Sequence, residues 1–182
     1  MKTLVISAFP ATGKTYTTKK LTNAGWNVID LDSSEFHWMK DEEGNVIKNP
    51  DFVKDYIEVI KRLIGKVDIV FVSTHEEIRK ALRENKIEYK IVYPNIKLKE
   101  EFVGRCFLRG DSSEFCEKIA ENWNKWIENI MQTEKYRSSS YEVGCFYITL
   151  EDVLNAIYDE LIGKKYKCKN VNWIDIGSYF KS

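Results

Sequence analysis

Short apolar runs alternate along the chain with longer segments in which apolar residues recur at helical spacing. The apolar runs predict five strands, at residues 3–7, 26–30, 68–73, 89–93 and 145–148. The helical pattern predicts six helices, at residues 15–23, 51–64, 76–85, 97–109, 113–133 and 151–162. Short apolar strands that alternate with helices predict an α/β fold built on a parallel sheet. The pattern weakens over residues 35–49, where 43–45 marks a turn, and residues 163–182 receive no assignment.

The segment between the first strand and the first helix has the spacing of a phosphate-binding loop. It reads Ala8-Phe9-Pro10-Ala11-Thr12-Gly13-Lys14-Thr15, with Ala8 where the first glycine of the pattern usually stands. Backbone N–H groups of such a loop surround phosphates, and the N-terminus of the following helix adds the positive end of its dipole. In this pattern Lys14 reaches the β- and γ-phosphates, and the Thr15 hydroxyl coordinates Mg²⁺. The residues predicted to bind a nucleotide are Ala11, Thr12, Gly13, Lys14, Thr15 and Tyr16. A plain strand-to-helix turn is the alternative.

Composition narrows the class of protein further. The chain has 182 residues, with 28 Lys plus Arg and 28 Asp plus Glu, so its formal net charge is +0. This length predicts a single domain over residues 1–182, and the balanced charge argues against stable nucleic-acid binding. No apolar run approaches the roughly 20 residues of a membrane span, and the four cysteines are scattered. We expect a reduced, cytoplasmic protein, and a homodimer is compatible with this composition.

Together with the segment Ile29-Asp30-Leu31-Asp32-Ser33-Ser34, the loop resembles that of the nucleoside-monophosphate-kinase-like P-loop kinases. This group includes adenylate, shikimate and gluconate kinases, and the chain also looks like phage-encoded nucleotide kinases. The resemblance implies a three-layer fold with helices on both faces of a five-stranded parallel sheet in the order 2-3-1-4-5. It also implies an acceptor site after strand 2, a helical lid at about residues 97–140, ATP as donor and Mg²⁺ as cofactor.

Two carboxylates, Asp30 and Asp32, stand at the end of the second strand, where open α/β sheets place ligands. Each is a candidate either to hold Mg²⁺, with Thr15 as a second ligand, or to take the proton of an attacking hydroxyl. In the metabolite kinases an Asp-x-Asp at this place serves metal and acceptor, and the resemblance implies these roles for Asp30 and Asp32. The alternative is a solvated turn in which Asp32 or Ser33 caps a helix.

Residues after the second and third strands are candidates for acceptor binding. His75 follows the third strand, and Arg79 lies four residues further on, on the same side of a predicted helix. The resemblance implies an arginine here that grips an acceptor phosphate, whereas a surface ion pair with Glu76 or Glu77 is the alternative. His37 could stack on a base or form a packing corner with Trp38. A structural role beside the helix start is the alternative for His75.

Arginines in the predicted lid are candidates for phosphoryl transfer. Arg105 and Arg109 lie four residues apart on one helix, and Arg137 follows in a polar loop. Guanidinium groups neutralise the charge that spreads over phosphoryl oxygens in the transition state. We therefore expect Arg105 and Arg109 to act in catalysis, Arg105 to contact ATP and Arg137 to contact the acceptor. A solvated helix face that pairs Arg105 with Glu101 is the alternative.

These observations predict an ATP-dependent phosphotransferase of the P-loop kinase type. The acceptor expected from the sequence is a small nucleotide, namely a nucleoside monophosphate. Two alternatives remain open: a kinase of a metabolite or polynucleotide hydroxyl, and a nucleotide-binding regulator without catalytic activity.

Overall fold

A five-stranded parallel sheet forms the centre of the chain in the computed structural model. The structure describes residues 3–134, 140–144 and 149–163, with side chains up to Ile157 in the last segment. The strands are β1 (Leu4–Ala8), β2 (Val28–Asp30), β3 (Trp38–Lys40), β4 (Val46–Lys48), β5 (Ile69–Val72), β6 (Lys90–Pro94) and β7 (Ser140–Val143). The helices are α1 (Lys14–Asn23), α2 (Ser34–His37), α3 (Phe52–Leu63), α4 (Glu76–Glu84), α5 (Lys99–Arg109), α6 (Ser113–Glu134) and α7 (Leu150–Gly163). A short 3₁₀ helix (Ile96–Leu98) precedes α5.

The strand order places the carboxyl ends of three strands that precede candidate site residues next to one another. The large sheet runs β2-β5-β1-β6-β7, and all its neighbouring pairs are parallel. In this register Asp30 pairs with Phe71, and Ser7 pairs with Val72. The carboxyl ends of β1, β2 and β5 therefore meet at one edge of the sheet, where α/β folds place their ligands.

Helices cover both faces of the sheet, as an apolar parallel sheet requires. Successive side chains of a strand point to opposite faces. Accordingly Val5 packs in the core beneath α3, α4, α5 and α6, whereas Ile6 packs in the core beneath α1 and α7. The predicted three-layer α/β class is confirmed.

The order of the sheet differs in detail from the predicted 2-3-1-4-5. Along the chain, two additional strands, β3 and β4, lie between β2 and β5 and form a separate antiparallel hairpin. The strands that follow them therefore carry higher numbers. This hairpin occupies the region where the apolar pattern is weak, because the side chains of both strands are exposed.

The strand beside β6 is β7, which begins within residues predicted as a polar loop. Only Tyr141 and Val143 of this edge strand are buried, so its alternating pattern is too short to stand out from the sequence. The more apolar predicted strand at 145–148 lies outside the described residues.

Helices α5 and α6, the described part of the predicted lid, are packed into the main core. Phe102 and Cys106 of α5 are fully buried, as are Trp123 and Ile127 of α6. The Trp123 indole N–H also donates to the carbonyl of Ile96 at 2.7 Å. None of the described helices is long and apolar enough to cross a membrane.

Candidate active site

The phosphate-binding loop joins the carboxyl end of β1 to the first turn of α1. The Phe9 backbone N–H donates to the carbonyl of Val92 at 2.9 Å, and the Thr12 hydroxyl donates to the carbonyl of Phe9 at 2.7 Å. Two left-handed residues, Ala11 (φ 59°) and Gly13 (φ 100°), turn the chain back toward the helix. Nothing lies within 4 Å of the position that a Cβ on Gly13 would take. Glycine is therefore favoured here by backbone conformation and not by lack of space.

Lys14 extends back across this loop. Its ammonium donates to the carbonyl of Ala8 at 3.0 Å and to that of Phe9 at 3.3 Å. Burial lowers the pKa of Lys14, and Asp30 is the largest of the charges that oppose this effect. A half-buried ammonium group held across a loop at a helix N-terminus is suited to bind phosphate oxygens.

Thr15 and Asp30 lie together beside the loop, although they belong to different elements. The Thr15 hydroxyl donates to Asp30 Oδ2 at 2.7 Å. Mg²⁺ is commonly held by one or two protein oxygens together with substrate phosphates and water. The described residues contain no cluster of three His, Cys, Asp or Glu side chains. Thr15 and Asp30 thus fit a magnesium ion that is bound together with a nucleotide.

Asp32 bonds away from this pair. Its Oδ1 accepts the backbone N–H of Ser34 at 2.9 Å, at the first turn of α2. Ser33 is the N-cap of α2 and forms no side-chain capping bond, so the Asp32 contact is the turn that the sequence offered as an alternative, without a side-chain cap. The carboxylate stays exposed and has further oxygen lone pairs, so this contact does not exclude contact with an acceptor.

Tyr56 connects the ends of β2 and β5. Its hydroxyl donates to the carbonyl of Leu31 at 2.7 Å and accepts the backbone N–H of Ser73 at 3.1 Å. Burial raises the pKa of Tyr56, and the charges of Asp30 and Asp32 add to this effect. Tyr56 therefore remains a neutral phenol that fixes the acceptor side of the sheet edge. Tyr56 lies within the predicted helix at residues 51–64, and nothing local in the sequence reveals its polar partners.

The two histidines meet beside the carboxyl ends of β2 and β5, the side predicted to bind the acceptor and called the acceptor side. The centres of the His37 and His75 rings are 5.4 Å apart, and Phe52 stacks on His37 with 3.8 Å between ring centres. His75 Nδ1 lies 2.8 Å from Ser73 Oγ, and His37 Nδ1 lies 2.8 Å from the carbonyl oxygen of Ser33. The predicted partner Trp38 is instead exposed on β3. Phe52 and Ser73 were not among the predicted site residues.

Arg79 does not reach this site. Its side chain is 1% exposed and forms an ion pair with Glu134 Oε1 at 2.8 Å. It also donates to Asn129 at 2.5 Å and to Thr133 at 2.6 Å, both on α6. The predicted contact with an acceptor phosphate is therefore replaced by a buried tie between α4 and α6. Glu134 lies 55 residues away in the sequence, so the pattern around Arg79 could not reveal it.

Arg105 and Arg109 lie on the side of α5 that approaches the loop. Arg105 donates to the carbonyl of Ala11 at 3.4 Å and pairs with Glu101 at 2.5 Å. The alternative pair with Glu101 is thus present, Arg105 also reaches the loop predicted to bind the nucleotide, and its predicted contact with ATP stays a prediction. Arg109 forms a bidentate pair with Asp111, which raises the pKa of Arg109. The positive charge of Arg109 is also close enough to lower the pKa of Lys14.

The two remaining candidates are Tyr16 and Arg137. The Tyr16 side chain is 66% exposed on the first turn of α1. Arg137 lies outside the described residues, so its predicted role in acceptor binding stays a prediction.

Comparisons with known proteins identify the class of fold to which the chain belongs. No protein-family model matches the chain, and no curated protein matches it at a significant level. A gluconokinase from Sinorhizobium meliloti 1021 superimposes with a TM-score of 0.52 and 11% identity, over 91% of this chain and 98% of the gluconokinase. The chain therefore has the fold of the nucleoside-monophosphate-kinase-like P-loop kinases, which confirms the predicted resemblance at the level of fold.

Two further solved structures are similar over most of their length. A shikimate kinase from Acinetobacter baumannii, in complex with shikimate, has a TM-score of 0.48 and 16% identity over 91% of this chain and 96% of its own. A deoxyadenosine kinase from M. mycoides, with bound dCTP, has a TM-score of 0.45 and 16% identity over 88% of this chain and 100% of its own.

Proposed function

We propose that the protein is an ATP-dependent phosphotransferase that moves the γ-phosphate of Mg-ATP to a hydroxyl group of a small molecule. The observation that carries this proposal is the arrangement around the loop. Lys14 crosses the loop, Thr15 and Asp30 share a hydrogen bond beside it, and Arg105 reaches it from α5. These groups together provide a phosphate cradle, a magnesium site and a transition-state cation.

The acceptor side favours a hydroxyl over the nucleoside monophosphate that the sequence predicts. The guanidinium groups of Arg79 and Arg83 are both paired with Glu134. Among the described residues, the acceptor side instead presents two histidines and the exposed carboxylate of Asp32, with Lys118 close enough to lower the pKa of His75. A hydroxyl acceptor needs a base, whereas a phosphate oxygen is already ionised.

The proposed reaction uses these groups as follows. The acceptor oxygen attacks the γ-phosphorus, the bond from that phosphorus to the β–γ bridging oxygen breaks, and ADP leaves. Asp32 takes the proton of the attacking hydroxyl. Lys14, Arg105 and Arg109 bind the oxygens on which negative charge develops. Thr15 and Asp30 would hold a magnesium ion, which would further neutralise phosphate charge.

The Lys14→Ala variant tests the proposal. We expect the variant to fold normally and to lose acceptor-dependent ADP release by about 10²-fold or more. The contact of Lys14 with the phosphate oxygens strengthens as negative charge develops on them in the transition state. The measurement is ADP release from Mg-ATP with a panel of nucleosides, sugars and nucleoside monophosphates.

Lys19→Ala is the matched control, since Lys19 lies on the same helix and is exposed. It should retain the activity of the parent protein. A folded Lys14→Ala variant with parental turnover would refute the proposed function. ATP binding without transfer to any acceptor would favour a nucleotide-binding regulator.

A further inference from the structure

The hairpin formed by β3 and β4 has exposed side chains along both of its strands. In an antiparallel pair, directly opposed residues lie on the same face, and so do residues two apart along one strand. Trp38 pairs with Lys48, and Lys40 pairs with Val46. One face of the hairpin, which we call the Trp38 face, therefore consists of Trp38, Lys40, Val46 and Lys48.

The side chains of the Trp38 face are accessible to a ligand. Trp38 is 61% exposed, and Val46 is 67% exposed. In the part of the chain that the structure describes, no side chain stacks on the Trp38 ring, and neither Lys40 nor Lys48 forms an ion pair. The Cβ atoms of opposed residues lie about 5 Å apart, so Lys48 starts directly beside the indole ring. This face thus combines an uncovered aromatic ring with two cations.

The base of the hairpin is fixed to the acceptor side. His37, whose ring centre lies 5.4 Å from that of His75, directly precedes Trp38. The His37 carbonyl accepts the backbone N–H of Asn49 at 2.8 Å, and Asn49 Nδ2 donates to the carbonyl of Phe36 at 3.1 Å. These bonds hold both strands of the hairpin beside the acceptor side. A ligand that extends out of the acceptor site along the hairpin therefore meets the Trp38 face.

Positive charge is present at both ends of that path. Burial lowers the pKa of His75, and neighbouring positive charge, including that of Lys118 on α6, lowers it further. The acidic residues 41–43 lie at the far end of the hairpin, in its turn, and the Asp55 carboxylate accepts Asn49 Nδ2 at 3.0 Å. An anionic ligand is therefore favoured at the end of the hairpin that adjoins the acceptor side.

We propose that the acceptor hydroxyl belongs to the terminal nucleoside of a short single-stranded oligonucleotide, whose next base stacks on Trp38 and whose phosphodiesters pair with Lys40 and Lys48. An aromatic ring stacks on any base, and cations beside it bind the backbone phosphates, which is the usual combination at single-strand sites. A dinucleotide is the smallest acceptor of this class. Two phosphate contacts need only a local pair of cations, so they are compatible with a net charge of +0. This inference rests on the proposed phosphotransferase function and extends its acceptor.

The acceptor class is tested with probes of increasing length. ADP release at saturating Mg-ATP is measured with the four deoxynucleosides, with dinucleotides and tetranucleotides of mixed sequence, and with gluconate and shikimate. Oligonucleotides whose 5′ or 3′ hydroxyl is blocked by phosphate identify the reacting end. We expect kcat/KM to rise by about 10-fold or more from nucleoside to dinucleotide, because the second base adds a stacking contact.

The other outcomes separate this inference from the proposed function. A kcat/KM for a nucleoside or a sugar acid that equals or exceeds that of the dinucleotide would overturn the inference. If that transfer still depends on Lys14, the phosphotransferase proposal stands. Absence of transfer to every probe would overturn both.

Variants of the hairpin test the stacking contact. Trp38→Ala should raise KM for the dinucleotide by about 10-fold, with KM for ATP unchanged. Trp38→Phe should lose less, because a smaller aromatic ring still stacks on a base. Met39→Ala, on the opposite face of the same strand, is the matched control and should leave both KM values unchanged. A parental KM for the dinucleotide in Trp38→Ala would contradict the proposal.

The two lysines are tested through the dependence of KM on salt. For two phosphate contacts of a single strand, KM for the tetranucleotide should rise by about 7-fold between about 50 and 200 mM salt. The Lys40→Gln/Lys48→Gln variant should lose most of this dependence. Lys19→Gln/Lys66→Gln, which changes two exposed lysines outside the hairpin, should keep it. Equal salt dependence in the two double variants would overturn the lysine contacts.

Partners of another class are distinguished by two binding measurements on the parent protein and on Trp38→Ala. Analytical ultracentrifugation detects a second copy of the chain, and co-sedimentation with vesicles of phosphatidylcholine and phosphatidylserine detects a membrane surface. We expect neither result to differ between the two proteins. If Trp38→Ala abolished a dimer or vesicle binding and left KM for the dinucleotide unchanged, the Trp38 face would serve that partner and this inference would be overturned.

Discussion

At the scale of single residues, Asp30 and Asp32 are close in sequence but bond in different directions. Asp30 accepts the Thr15 hydroxyl beside the phosphate loop, whereas Asp32 accepts the Ser34 backbone N–H on the acceptor side. The sequence offered the same pair of roles for both residues. The contacts separate them, and in the proposed function Asp30 is a magnesium ligand and Asp32 is the base.

Asn variants of the two carboxylates should therefore respond differently to magnesium. Asp30→Asn should regain part of its activity as Mg²⁺ is raised, because it weakens the binding of the ion. Asp32→Asn should lose about 10²-fold or more at every Mg²⁺ concentration, because an amide cannot take a proton. The measurement is turnover of both variants across a Mg²⁺ titration.

The Asp32→Asn variant also contains its own structural control. An Asn side chain can accept the same backbone N–H two residues further on as Asp does, so the turn before α2 should be preserved. Parental turnover in Asp32→Asn would show that this carboxylate only supports the turn before α2.

At the scale of elements, a buried ion pair fixes α4 to the end of α6. Glu134 Oε1 accepts from Arg79 at 2.8 Å, and from Arg83 and the Tyr89 hydroxyl at 2.9 Å each. Both Arg79 and Glu134 are 1% exposed. Removing one partner of such a pair leaves a buried charge without compensation, which is more costly than removing both.

Glu134→Gln should consequently lower the free energy of unfolding by about 3–5 kcal/mol. The measurement is urea unfolding followed by circular dichroism. Glu121→Gln, an exposed position on the same helix, should change stability by less than about 0.5 kcal/mol. Equal stability of the two variants would contradict a structural role for this ion pair.

Helix α5 is oriented so that Arg105 contacts the phosphate-binding loop. The Arg105→Gln/Arg109→Gln double variant should slow turnover by about 10²-fold or more while weakening ATP binding far less, because these contacts strengthen in the transition state. Single-turnover kinetics and ATP titration measure the two effects separately.

Lys97→Gln is the matched control for this variant, since Lys97 is an exposed cation just before α5. It should behave like the parent protein. Unchanged turnover in the double variant would return both arginines to a purely structural role with Glu101 and Asp111.

At the scale of the whole molecule, the acceptor side links folding to pH. Burial, followed by repulsion from His37, Lys118 and Lys14, lowers the pKa of His75 to about 4 from its ordinary value of 6.5. The residue as a whole remains exposed, so solvent screens part of this effect. Between these pH values the unfolded chain binds more protons than the folded chain, so stability falls as the pH is lowered.

The His75→Gln variant tests this linkage. The parent protein should lose stability between about pH 6.5 and pH 4, and the variant should lose less over the same range because it cannot bind that proton. Urea unfolding at pH 5 and pH 7 measures the difference. Identical pH dependence in the two proteins would show that His75 titrates alike in the folded and unfolded chains.

The sequence by itself determined the features that depend on neighbouring residues. The loop over residues 8–15, the alternation of strands and helices, and the position of Asp30 and Asp32 after β2 are all local, because backbone geometry and side-chain periodicity act over a few residues. The predicted bounds of α1, α3 and α4 agree with the structure to within one residue at each end.

Only the tertiary structure decided which side chains meet across long stretches of chain. It brought Glu134 to Arg79, His75 to His37, and Asp30 to Thr15, and it placed β7 at the edge of the sheet. Each contact depends on how parallel strands pair and how helices pack over them, which no local pattern encodes. Arg79 therefore reads as a ligand-binding arginine in the sequence and becomes a buried structural partner in the fold.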